Sequence, residues 1–265
     1  MRQYETLKVV QEGDVVTAFL DRPDARNAIN MRMVNELSHL IDAIDDAKDV
    51  SVLVLRGSPD VFTSGIDLHE FAAHEKRNIY GLQKWEQVCR ELERLKKFTV
   101  AAVQGECTGG GFQLALSCDA RLAERRAVFC FDEVKLVFLP GMATFRLAKY
   151  IGLGRAKSII LTGRKVRAEE ALSWGILDRV CDQVSFEEAL ADAVRDLLPF
   201  HPVALEMARR LLDESYATSY ETFLGHFLAA QYRAINSEAF DRLVARAAGE
   251  ERRTELARTR RARGK

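Results

Sequence analysis

The stretch LKVVQEGDVVTAFL, residues 7–20, sets two apolar runs on either side of Glu12-Gly13-Asp14, the pattern of a β-hairpin. Further along, MRMVNELSHLIDAIDDA puts Met31, Val34, Leu37, Leu40, Ile41 and Ile44 on one helical face, with Asn30 as the N-cap. VSVLVLRG, stopped by Gly57-Ser58-Pro59, and TVAAVQG are apolar without alternation, as strands covered on both faces are. Each leads through a glycine-marked turn into a helix. Strand, turn and helix in repetition predict an α/β domain with a parallel sheet, whose ligands collect where helices leave the strand ends. Beyond about residue 185 the pattern is helical only: SFEEALADAVRDLLPF, HPVALEMARRLLDESY, YETFLGHFLAAQYRAI and EAFDRLVARAAGEERR. His201-Pro202 divides the first two, because proline suits a first helical turn better than a helix interior. The broad apolar faces of these helices require a partner surface, in the α/β core or in another subunit.

Composition narrows the class. In 265 residues, 48% hydrophobic content is enough to fill a sizeable core. The 39 basic and 39 acidic residues cancel, so the charge balance argues for neither nucleic acid nor a membrane surface as partner. The exception is the tail RRTELARTRRARGK, Arg252 to Lys265, read as a solvated end rather than a phosphate-binding arm. Cysteines at 89, 107, 118, 130 and 181 show neither metal-ligand spacing nor a secreted framework and are expected reduced and buried. The opening MRQYETLKVV lacks the apolar stretch of a signal peptide, and no apolar run is long enough to span a bilayer. A cytoplasmic setting is the expectation.

Two strand-to-helix junctions carry the candidate chemistry. In VFTSGIDLHEF, Ser64-Gly65-Ile66 precedes a short helix with Asp67 near its start; in CTGGGFQLALSCD, Gly109 to Gly111 stand before an apolar helix. Each would aim backbone N–H groups out of a helix start, and two such donors meeting at one point form an oxyanion hole. A nearby carboxylate would complete a site for enolate chemistry. No Gly-Lys-Ser/Thr follows the glycines, and Rossmann spacing is absent, so phosphate cradling is disfavoured.

Five segments, LDRPDARNAIN, VLRGSPDVFTSGIDL, VQGECTGGGFQLALSCDARLA, FDEVKLVFLPGMATFRLAKYIG and AKSIILTGRKVRAEEALSWGILDRV, resemble in order and spacing the crotonase, or enoyl-CoA hydratase/isomerase, superfamily, from about residue 5 to 182. The resemblance implies an α/β spiral of ββα repeats over residues 1–195 and a C-terminal helical trimerisation region over 196–265. It implies a homo-trimer, often stacked as a hexamer. The substrate would be an acyl thioester of coenzyme A or of an acyl carrier, with coenzyme A as part of the substrate and no separate cofactor or metal.

By position, the resemblance puts the oxyanion donors on the N–H groups of Ile66 and Gly110 and the reacting side chains at Glu133 and Gln113. It places Arg26, Ala28, Ser64, Gly65, Asp67, Leu68, His69, Gly109, Phe138 and Pro140 along the substrate, with His69 where a phosphate-binding lysine is common. Hydratases of the family resemble one another in carrying glutamates at the positions of both Gln113 and Glu133; here only Glu133 remains. A neutral amide exchanges no proton near pH 7, so this pattern is similar to the single-glutamate double-bond isomerases. Beside Phe131, Val137 and Phe138, the Glu133 carboxylate would lose solvation and its pKa would rise. The bare sequence also permits FDEVKL as a strand edge with Asp132 and Glu133 in solvent.

Other readings stay open. Two are a hydratase and a carbon–carbon bond-forming enzyme similar to carboxymethylproline synthase, in which the amide orients a carboxylate or water. A third is a non-catalytic acyl-CoA-binding protein. Asp132, Val137-Phe138 and the short PGMATFRL depart from the family pattern and reshape the acyl pocket, while Pro140 stands where the dehalogenases carry an aspartate nucleophile. Glu106 is read as a surface or interface group rather than a second acid.

Overall fold

A computed structural model describes residues 3–58, 60–73, 79–197 and 200–246. Strands β1 (Leu7–Glu12) and β2 (Val15–Leu20) form the antiparallel hairpin, and Gly13 takes the left-handed turn at φ 60°. Helix α1 (Met31–Asp46) starts where the Asn30 side chain accepts from the Met33 N–H at 2.9 Å. Its buried face runs through Met33, Val34, Leu37, Leu40, Ile41 and Ile44, so Met33 takes the inner place expected of Met31, which is only half-buried. Next come β3 (Val52–Gly57), α2 (Leu68–Ala73), α3 (Tyr80–Arg94) and β4 (Phe98–Val103).

The second glycine-marked turn differs from the expected strand-turn-helix order. After Gly105, a short strand β5 (Glu106–Thr108) intervenes before α4 (Gly110–Leu116). Then follow β6 (Ala120–Glu124), β7 (Val128–Cys130), α5 (Ala143–Ile160, broken at Gly152), β8 (Val166–Arg167), α6 (Ala168–Ser173) and β9 (Arg179–Cys181). The large sheet has the order β1-β2-β3-β4-β6-β9, parallel from β2 onward, and β5-β7-β8 form a second, smaller sheet.

Both faces of the large sheet are covered, which is why β3 and β4 read as unbroken apolar runs. Leu53, Leu55, Ala101 and Val103 pack with α1, α3 and α4; Val52, Val54, Val100 and Ala102 meet Phe186, Leu190 and Val194 of α7 (Phe186–Leu197). The α/β core is therefore the partner for α7.

The chain divides into two compact units between Pro202 and Val203. Helix α8 (Pro202–Glu214) opens on its proline, and α9 (Tyr220–Ile235) is capped by Ser219, whose hydroxyl accepts from the Thr222 N–H at 3.3 Å. A further helical run is described from 238 to 246. The arginine-rich tail lies outside the described residues, as does Pro59. All five cysteines are buried, and none is joined in a disulfide. Among the described residues, no helix is long and apolar enough to cross a membrane.

One buried loop residue orders the ground beneath the site. Asn27 is fully buried at φ 56°; its side chain accepts from the Arg22 N–H (2.9 Å) and donates to the Ser58 and Val61 carbonyls (2.9 and 2.7 Å). Asn27→Ala strands those backbone groups and puts alanine in a left-handed conformation. The expected loss is about 2–4 kcal/mol in urea unfolding.

Candidate active site

The two glycine junctions lie side by side. Ile29 bridges Ile66 in parallel, with the Ile29 N–H on the Gly65 carbonyl (2.8 Å) and the Asp67 N–H on the Ile29 carbonyl (2.9 Å). Because N–H groups alternate along an extended chain, the Ile66 N–H turns to the other edge, toward residues 106–110. Thr63 bridges Cys107 on that side. A methyl group on Gly65 (φ 96°) would come within 2.9 Å of the Thr108 carbonyl oxygen and 3.6 Å of the Gly110 nitrogen. Gly110 is the first residue of α4, so its N–H has no carbonyl to meet within its own helix. A methyl on Gly110 would lie 3.1 Å from the Ile66 side chain. Ile66 and Gly110 thus lie against each other where the two junctions meet.

Glu133 closes this spot. It opens a short 3-10 turn, Glu133–Leu136, not a strand edge, and a methyl on Gly109 would lie 2.7 Å from its Oε1. Glu133 Oε2 is buried, with no hydrogen-bond partner among the described residues. Burial pushes its pKa up to about 7, and the Asp132 charge pushes in the same direction.

The walls of this carboxylate differ from expectation. Val137 is 98% exposed, because it caps the 3-10 turn at φ 56° and its side chain swings outward. Phe131 is turned into the core, stacked on Phe112 with centroids 4.5 Å apart. Phe138 is half-buried and meets Phe71 edge to face at 5.4 Å.

Gln113, one turn into α4, is 2% exposed. Its Nε2 donates to Glu86 Oε1 at 2.9 Å and approaches Cys89 Sγ at 3.5 Å. Burial pushes the Cys89 thiol up to about 12, so it stays neutral. Glu86 also accepts from the Met142 N–H (2.8 Å) and from Arg146 Nη1 (3.2 Å), and Arg146 is shared with Glu93.

The remaining expected residues take different places. Ser64 and Ala28 line the bridge of the first junction; the Ser64 N–H bonds the Arg26 carbonyl at 3.1 Å. Asp67 is not a spare carboxylate for enolate chemistry. It accepts the Glu70 N–H at 3.1 Å and pairs with Arg22 at 3.0 Å; burial opposes its ionisation, but these partners outweigh burial and lower its pKa. Arg26 projects outward and is paired with Glu106, so a substrate phosphate would compete with that carboxylate. Leu68 and His69 are exposed on α2, Gly109 and Pro140 are buried.

Helix α3 supplies two residues that the sequence reading missed. Trp85 is 3% exposed; its Nε1 has no partner among the described residues and lies 3.4 Å from a methyl built on Gly110. Glu86 is the second. In WEQVCRELER both read as ordinary helix positions, and only the packing of α3 beside α4 shows otherwise. The Thr108 hydroxyl is also buried without a partner among the described residues. Three buried polar atoms without partners, on Trp85, Thr108 and Glu133, therefore surround one glycine junction, where native interiors ordinarily satisfy such groups.

Residues 11–250 match the family model described as enoyl-CoA hydratase/isomerase. The chain belongs to the enoyl-CoA hydratase/isomerase family. This family member is 31% identical over 235 residues to a short-chain-enoyl-CoA hydratase of Clostridium acetobutylicum, covering 87% of this chain and 86% of the relative. Among solved structures it is similar to an enoyl-CoA hydratase from Bacillus anthracis (TM-score 0.86, 27% identity, covering 94% and 97% of the two chains). It is also similar to a putative enoyl-CoA hydratase from Thermobifida fusca in complex with acetoacetyl-CoA (TM-score 0.77, 29% identity, covering 87% and 94%). As an enoyl-CoA hydratase/isomerase family enzyme, it has the mixed α/β fold with a helical C-terminal region that these structures share.

Proposed function

We propose that this enzyme forms a thioester enolate held by the Ile66 and Gly110 N–H groups, and that Glu133 alone moves the proton, shifting the double bond of an enoyl-CoA. The observation that carries the reading is the half-buried Glu133 carboxylate, with Oε1 against Gly109, Oε2 buried without a partner among the described residues, and its pKa pushed up to about 7. A carboxylate at that pKa takes a proton from a carbon acidified by the adjacent thioester and releases it again near neutral pH. As negative charge moves onto the thioester oxygen, the two backbone donors stabilise it, each by about 3 kcal/mol of barrier. The same Glu133 returns the proton at the γ-carbon, so atoms and charge balance without a second acid. The acetoacetyl-CoA held by the Thermobifida fusca relative supports an acyl-CoA as the substrate.

Hydration is the second reading, favoured by the names of the three relatives above. There Glu133 would take a proton from water as oxygen attacks C3, then pass it to Cα.

Proton exchange at the α- and γ-carbons of 2-enoyl- and 3-enoyl-CoA in deuterated water tests both. Bond migration with deuterium incorporation supports the isomerase, and conversion to a 3-hydroxyacyl thioester supports the hydratase. Binding without exchange or turnover sinks both in favour of a binding protein. Because the base must be ionised, kcat/KM is expected to fall about tenfold per pH unit below about pH 7 and to level off above it.

A further inference from the structure

We infer that Glu86 is a positioning residue for the reaction: its carboxylate ties the helix that begins at Gly110 to the segment that carries Glu133, and so holds Glu133 in place against Gly109. The inference rests on the enolate reading above and adds to it a residue that acts through others.

Glu86 is half-buried on α3 and gathers donors from three other parts of the chain. Its Oε1 accepts from Gln113 Nε2 of α4 at 2.9 Å and from the Met142 backbone N–H at 2.8 Å, and its Oε2 accepts from Arg146 Nη1 of α5 at 3.2 Å. The Met142 N–H and the guanidinium can only donate, so Glu86 meets Gln113 as an acceptor too, and the amide atom that faces it is the nitrogen. Met142 caps the start of α5, where helix N–H groups lack partners in their own helix and a carboxylate is favoured. Gly141 keeps the approach open, because a methyl there would overlap Glu86 Oε1.

Gln113 and Gly110 share α4, one turn apart. Met142 ends the run that leaves β7 and passes through Glu133. Little in that run is packed inward: Leu136, Val137, Leu139, Gly141 and Met142 are exposed, and Glu133 Oε2 has no partner among the described residues. Its position therefore follows from the backbone that bears it. At one end β7 is paired in the small sheet; further on, Lys135 Nζ reaches the Gly163 carbonyl at 2.6 Å and Phe138 meets Phe71. At the α5 end Glu86 takes the Met142 N–H. The Phe138 N–H on the Glu133 carbonyl (3.0 Å) links the base to this half of the run. The Glu86 tie differs from the others in reaching α4 as well, through Gln113.

Losing the tie is expected to admit water to the Glu133 carboxylate. Burial is what raises its pKa to about 7, so water returns it toward 4.5. The titratable neighbours are Asp132, whose charge also raises it, and Cys130 on β7, whose thiol burial pushes up to about 11. Lys135 is turned to the Gly163 carbonyl. All three are kept in the variants below, so a moved midpoint reports the solvation of Glu133.

The test titrates Glu133 by NMR of carboxyl-labelled glutamate in the full-length protein, assigned with Glu133→Gln, alongside the pH profile of enoyl-CoA proton exchange. In Glu86→Ala the midpoint is expected to fall by at least about one pH unit, and the acid limb of kcat/KM to move down with it, since the base must be ionised. The displaced base should cost about 10–10²-fold in kcat, with KM within about threefold of wild type. Glu86→Gln keeps an oxygen for Met142 and Gln113 and should recover most of both. Glu93→Ala takes a partner from Arg146 but leaves the Met142 and Gln113 bonds, so it should lose stability with the midpoint unmoved. Gly141→Ala drives a methyl into Glu86 Oε1 and should reproduce the Glu86→Ala shift, which keeps the test decisive if Glu86→Ala does not fold. A wild-type midpoint and kcat in folded Glu86→Ala or Gly141→Ala overturns the inference. So does a shift in Glu93→Ala as large as that in Glu86→Ala, which marks loosened packing in general. No exchange by the wild type at any pH sinks the enolate reading, and the NMR midpoints then still show whether Glu86 holds Glu133; exchange with unmoved midpoints removes only the role given to Glu86.

Discussion

Glu133→Gln is expected to lower α-proton exchange on enoyl-CoA by about 10²–10⁴-fold while leaving thioester binding within a few-fold of wild type. The substitution keeps size and removes only the ability to hold and release a proton. Gln113 is an amide and Asp67 is held ionised by Arg22 and the Glu70 N–H, so neither of these two is placed to take over that task. The same variant reports on stability, because burial raises the Glu133 pKa from its ordinary 4.5 to about 7. Between those values the folded protein holds a proton that the unfolded chain has released. Wild-type stability therefore declines as pH rises through this window, with the penalty absent below about 4.5 and complete above about 7. Glutamine carries no such penalty. The variant should be more stable than wild type at pH 8 by about 1–3 kcal/mol, after allowing for partial solvent screening, and equal to it near pH 4. Urea unfolding at the two pH values measures this, together with exchange by mass spectrometry. Retained exchange would remove Glu133 from the chemistry, and a stability difference independent of pH would mean that its carboxylate is not desolvated.

Gly109→Ala should be nearly as damaging, by a different route. Gly109 sits at φ 55° and ψ −122°, a region that the Cβ of an ordinary residue disfavours strongly. The new methyl would also stand 2.7 Å from Glu133 Oε1. To relieve both, the backbone must move, carrying the Gly110 N–H away from Ile66 and displacing the acid/base together. The expected result is a loss of about 10²–10³-fold in kcat and a destabilisation of about 1–3 kcal/mol. Gly13→Ala is the control, since Gly13 also has positive φ but nothing within 4 Å of a methyl. It should lose some stability and no activity. Wild-type kcat in Gly109→Ala would show that the oxyanion donors lie elsewhere.

The hairpin, α1, the buried strands and the proline at the start of α8 were legible because each depends on short-range rules. Gly13 permits the turn, Asn30 caps the helix, and apolar runs without alternation mark strands covered on both faces. The glycine junctions were legible for a similar reason: a triple glycine before an apolar helix specifies the backbone that presents Gly110. The direction of the Glu133 pKa shift was also foreseen, though not the surroundings. Val137 and Phe131 were expected beside the carboxylate from proximity in sequence, but a left-handed cap exposes one and aromatic stacking claims the other.

The sequence by itself determined the α/β architecture, the family, the two glycine junctions and the presence of an amide, not a carboxylate, at position 113. Only the tertiary structure decided which way that glutamine faces. Its orientation depends on Glu86, 27 residues earlier on another helix, and on a carboxylate already committed to Met142 and Arg146. Local pattern encodes backbone form, because φ, ψ and burial follow from near neighbours. The polarity of a buried amide is set by whichever donors and acceptors distant segments bring against it, and no spacing along the chain records that encounter.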